Sequence, residues 1–112
     1  LLADAKARAL AMVEGYQPPE PPAFRLPGPS GRVALGMAAE GFRKRGMATD
    51  YDMVVSDALA TVLTGGEADL VDVVTEEQML ALEKDAFMKR VRDPRTMARV
   101  ETMLETGKPL RN

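Results

Sequence analysis

The stretch from Thr75 to Asn112 reads TEEQMLALEKDAFMKRVRDPRTMARVETMLETGKPLRN and decides the fold. Thr75 followed three residues later by Gln78 forms a capping box. Behind it Met79, Leu82 and Ala86, flanked by Leu80, Phe87 and Val91, recur at helical spacing and make one broad apolar stripe. A second helix follows almost at once. Asp93 supplies an N-cap, Pro94 sits at the first helical position where its missing N–H costs nothing, and Met97, Val100, Met103 and Leu104 continue the 3.6-residue period. Gly107 and Pro109 end that helix. The stretch is therefore helix, tight corner, helix, and each helix has one face that needs a partner.

Upstream, the same logic predicts three more helices. Leu2, Ala5, Ala9, Met12, Val13 and Tyr16 share a face, closed by Gly15; no capping residue precedes Leu1, so the helix is read as continuing from an upstream module. Pro18, Pro19, Pro21, Pro22, Pro27 and Pro29 then forbid regular structure, because each lacks a donor and restricts the residue before it. This gives a semi-rigid extended strap with Phe24 and Leu26 as anchors. Ser30 is read as the cap of the next helix, which carries Leu35, Ala38, Ala39 and Phe42; Gly36 and Gly41 within it suggest close approach of another backbone. Gly46 stops it. Thr49 caps a helix with the stripe Val54, Val55, Ala58, Leu59, Val62 and Leu63, expected to be the most buried, and Gly65 and Gly66 end it. Leu70, Val71, Val73 and Val74 have no evident second strand to pair with, so 67–74 is read as an ordered loop. The fold class is all-α: about five helices in a small irregular bundle. Helix one (1–17) is joined through the strap (18–29) to a helical domain at 30–112.

Composition removes several chemistries. The chain has 112 residues, enough for one domain that buries about 65% of the surface its unfolded form exposes. It has no cysteine, hence no disulfide, thiolate metal site or cysteine nucleophile, and no histidine, hence neither the commonest general base nor the commonest transition-metal ligand. Asp50 and Asp52 lie in the first turn of a helix, where capping and dipole complementarity are their ordinary work. Glu76, Glu77, Glu83 and Asp85 read as a solvated helix face. Gly65-Gly66 is a helix stop, since no Walker or Gly-x-Gly-x-x-Gly pattern surrounds it. The methionines on the last two helices are read as core filling. No apolar run reaches the ~18 residues of a membrane span.

The run Glu77 to Phe87, then Pro94 to Arg99, then Met103-Leu-Glu-Thr-Gly-Lys-Pro-Leu-Arg-Asn112 resembles the extreme C-terminus of a bacterial fatty-acid β-oxidation protein family. These are 3-hydroxyacyl-CoA dehydrogenases whose dehydrogenase module is followed by a crotonase-like enoyl-CoA hydratase module. The resemblance extends through Gly46 to Asp52, Val62 to Gly66, and Gly15-Tyr16 with the prolines after it. It implies a cytoplasmic enzyme acting on acyl-CoA with NAD for the parent protein. Packing partners would be the upstream modules of the same chain. It carries no catalytic motif onto this stretch: no catalytic, cofactor-binding or metal-binding residue is assigned, and the region is read as scaffold.

Charge adds one candidate surface. From Lys89 to Asn112 seven basic residues face three acidic ones, a local balance of +4 on a chain of net charge −2. Arg95, Arg99, Lys108 and Arg111 are the candidates for docking on a phosphate, such as those of coenzyme A, or on an acidic surface of another module; an ordinary solvated face is the third reading. An acidic pI, few aromatics and no recognition motif disfavour nucleic acid. The competing class is a non-enzymatic helical interaction module that uses the proline strap or the basic tail. In either case the stripe of helix one requires cover, from the helices of 30–112 or from a second copy in a homodimer.

Overall fold

A computed structural model describes residues 1–112. Five helices and one two-stranded ribbon follow in the order α1 (Leu2–Ala11), β1 (Ala23–Phe24), α2 (Gly28–Lys44), α3 (Asp50–Leu63), β2 (Val74–Thr75), α4 (Glu76–Val91) and α5 (Pro94–Thr106). The all-α reading holds. α2 packs chiefly on α3, α3 on α4, and α4 on α5.

The local punctuation explains where the last three helices start. Thr49 accepts from the Asp52 N–H while the Asp52 carboxylate accepts from the Thr49 N–H, and Thr75 with Gln78 repeats that reciprocal pair at α4. Asp93 accepts from the Arg95 N–H with Pro94 just inside the helix. α3 ends where the Gly65 N–H reaches the Val62 carbonyl and the Gly66 N–H reaches that of Thr61, both glycines at positive φ.

Several expectations need correction. The proline strap is not free of regular structure: Ala23 pairs with Thr75 and Phe24 with Val74 in antiparallel register. Residues 23–26 are the donor-bearing gap between Pro22 and Pro27, so they can form a ladder, and the second strand for Val74 lies fifty residues upstream. Leu26 is half-buried, and Phe24, at 36% exposure, is covered over most of its surface. Next, α2 begins at Gly28; Ser30 does not cap it and instead donates its hydroxyl to the Pro27 carbonyl. α1 also stops at Ala11 and leaves by turns through Gly15.

Gly36 and Gly41 face open space, so no second backbone approaches them. The tight glycine is Gly28. It has φ +58, its N–H donates to the Thr64 carbonyl at 2.7 Å, and a Cβ there would lie 1.7 Å from the Ala68 oxygen.

The core sits along α3 and its C-terminal turn, which supply Tyr51, Ala60, Thr64, Gly65 and Gly66 of the seven buried residues. Its stripe is only half covered, because Leu59 and Leu63 are 57% and 62% exposed. The methionines fill a core only in part: Met79 is half-buried, whereas Met88, Met97 and Met103 lie at the surface. α1 is uncovered altogether, every residue from 1 to 25 being exposed. The sequence expectation that α1 folds back on 30–112 is not met within one chain.

Candidate functional site

The densest polar arrangement lies where α3 begins, against α5 and the residues after it. Tyr51, 2% exposed, stands at its centre, and its hydroxyl shares a 2.6 Å hydrogen bond with Thr96 on α5. Two guanidinium groups cover the ring, Arg95 at 4.2 Å and Arg99 at 4.9 Å from its centroid. Stacking of this kind contributes up to about 2 kcal/mol where water is excluded.

Arg99 ties the corner together. Its Nε donates to the Asn112 Oδ1 at 2.6 Å, and its Nη2 lies 2.9 Å from the Asp52 carboxylate and 3.3 Å from the Asn112 backbone oxygen. Asn112 in turn donates from Nδ2 to the Arg95 carbonyl, and Arg111 donates to the Met47 carbonyl just before the α3 cap. The segment after Gly107 therefore lies across the α2–α3 corner and clasps it to α5. The Thr49 N–H, then Arg99, hold the Asp52 carboxyl below the usual carboxylate range. The Arg95 fork does the same to Asp93, down to about 2.

Of the four sequence candidates, three are thus used within the chain: Arg95 on Asp93, Arg99 on Asp52 and Asn112, Arg111 on Met47. The ammonium of Lys108 makes no such bond. Asp52 serves as a capping and ion-pair residue, and Asp50 lies 3.0 Å from Arg43. No group of three or more acidic side chains is placed to hold a metal ion. Sequence reasoning passed over Tyr51, although it stands three and four residues before Val54 and Val55 on the same helical face. Thr96 and Asn112 carry no local signal, since their partners come from distant parts of the chain.

A second feature is apolar. α3 and α4 leave a groove of about 620 Å³ between them, lined by Val55, Leu59, Val62 and Leu63 on one side and Leu80 and Phe87 on the other. Arg90 also lines it. Its Nε and Nη1 are buried without a hydrogen-bond partner, and the nearest carboxylate, Asp93, is 3.9 Å away.

Charged clusters engaged with the chain's own corners thus lie beside uncovered apolar faces. The chain is 35% identical, over an alignment of 113 residues that covers all of it, to a probable 3-hydroxyacyl-CoA dehydrogenase of Bacillus subtilis (strain 168), and it spans 14% of that protein's length. No family model matches the chain, and no solved structure matches it. The sequence is thus similar to one region of a much longer dehydrogenase. No helix is long and apolar enough to cross a membrane.

Proposed function

We propose that this chain is the C-terminal helical region of a fatty-acid β-oxidation enzyme, a 3-hydroxyacyl-CoA dehydrogenase that also carries an enoyl-CoA hydratase module. Within it the region is a non-catalytic scaffold. The observation that carries this reading is the 35% identity along the whole chain to a protein of which it spans 14%. The chain also lacks histidine, the commonest general base in proton transfer. NAD and acyl-CoA then bind elsewhere in the parent protein, in the cytoplasm, and this region packs on the upstream modules.

The docking role of Arg95, Arg99, Lys108 and Arg111 belongs to the same proposal. Three of them brace the corner that would be presented, and Lys108 is the cation left to meet a phosphate or an acidic surface.

The test is the parent protein beside the isolated chain. The parent should reduce NAD with a 3-hydroxyacyl-CoA and hydrate an enoyl-CoA, and residues 1–112 alone should do neither. Turnover by the isolated chain that a point substitution abolishes would show that the scaffold reading is wrong. A reading frame that starts just before Leu1 would remove the parent enzyme and leave an interaction module in its place.

A further inference from the structure

The chain exposes far more surface than its size requires. Its accessible area is 8823 Å², some 2,800 Å² above the ~6,000 Å² of a compact chain of 12.1 kDa. The radius of gyration is 19.9 Å against about 13 Å for a compact domain of this length. Obligate homodimers bury about 2,000–5,000 Å² in total, so the excess on two chains suffices for such an interface.

The excess is concentrated in two complementary places. α1 presents Leu2, Ala5 and Ala9 along one face, and Met12 and Val13 in the turn just after it extend that apolar surface; Leu2, Met12 and Val13 are each more than two-thirds exposed. The α3–α4 groove is an open trough whose α3 wall, Val55 to Leu63, runs about 12 Å, a little over two helical turns. A helix with apolar residues at i, i+3, i+7 and i+10 is the shape such a trough takes, and Ala5 and Ala9 let its backbone come close. The strap separates α1 from the body: residues 17–22, four of them proline, form no helix or strand, and the pairing of Ala23 with Thr75 anchors their end.

We infer that α1 of one copy occupies the α3–α4 groove of a second copy, and that the exchange is reciprocal. Each chain offers one helix and one groove, so two chains satisfy both and the assembly closes as a two-fold dimer. This does not depend on the parent enzyme: it concerns surfaces that the 112-residue chain already carries.

Light scattering coupled to size exclusion on residues 1–112, from about 5 to 200 μM, tests it together with Val13→Lys in the turn that ends the helix and Phe87→Lys in the groove. The wild type should run as a dimer, and each variant should dissociate with a constant raised at least about ten-fold, as burial of a charge in an apolar contact demands. Far-UV circular dichroism, expected to be unchanged in each variant, separates lost association from lost folding. Leu59→Lys serves as a second groove variant if Phe87→Lys loses helix content. The decisive arm mixes the two single variants, which leave one intact helix and one intact groove between them. The mixture should regain part of the association that neither variant has alone. A monomeric wild type, meaning that α1 folds onto its own groove or stays free, overturns the inference. So does loss of association with Val13→Lys but not with the groove variants, which would mean that α1 pairs with α1.

Discussion

Arg99 and Asn112 meet in a 2.6 Å hydrogen bond beneath the buried ring of Tyr51, and this contact joins α5 to the corner that opens α3. Removing the guanidinium breaks its bonds to Asn112 and its ion pair with Asp52 and uncovers one face of the ring. Arg99→Ala should therefore destabilise the fold by about 2 kcal/mol, the ordinary worth of charge-assisted bonds that are partly shielded from water. Arg99→Lys keeps the charge but loses the planar fork, and should recover less than half of that. Urea unfolding of the three proteins measures both; superimposable curves would mean that the clasp is decorative.

Tyr51 offers a separable test. Tyr51→Phe deletes only the hydroxyl that bonds Thr96, and should cost about 1 kcal/mol, whereas Tyr51→Ala should cost about 3–5 kcal/mol through the cavity it opens. Thermal melts with the two substitutions equal in effect would place the ring outside the core.

The glycines of α2 should respond in opposite directions. Gly28→Ala forces a Cβ against the Ala68 carbonyl at a positive φ, and should lower the melting temperature markedly. Gly36→Ala adds a methyl group where nothing lies within 4 Å, and should stabilise by about 0.5–1 kcal/mol through helix propensity. A loss of stability at Gly36 would mean that this face is already covered in solution.

Stability should depend on pH through carboxylates alone. Asp93, Asp52 and Asp57 all titrate below their ordinary value in the folded chain, mainly through the Arg95 fork, the Thr49 N–H and Arg32 respectively. A depressed folded pKa means that the unfolded chain binds the proton first. The contribution is complete above about pH 4 and disappears as pH falls through the folded value, near 2 for Asp93. With no histidine, the urea midpoint should stay level from pH 5 to 8 and fall between about 4 and 2. Asp93→Asn, which keeps an N-capping side chain, should flatten part of that fall. An unchanged slope would detach Asp93 from the acid transition.

What the sequence made legible is what neighbours in the chain decide. The caps at Thr49, Thr75 and Asp93, the stops at Gly65 and Gly107, and the apolar stripes of all five helices rest on residues within one or two turns of each other. The largest errors come from longer reach. Val74 reads as unpaired because its partner Phe24 lies among prolines fifty residues away. Arg95, Arg99 and Arg111 read as free cations because Asp52, Asn112 and Met47 become their neighbours only once α5 has docked. Periodicity showed that α1 and the α3–α4 face are apolar, but the folded chain leaves both uncovered. Gly36 and Gly41 misled because a glycine in a helix looks the same whether it makes room for a neighbour or faces water.

Thr75 has two duties: it is the last rung of the ribbon with Ala23, and it is the residue whose hydroxyl and N–H close the cap of α4. The strap ends on that rung, so it couples α1 mechanically to the first turn of α4. A pull on α1 loads a ladder two residues long before it loads any packed face, and the next residue to feel it is the one that starts α4. Whatever body holds α1 therefore has a lever on the wall of the groove that carries Leu80 and Phe87.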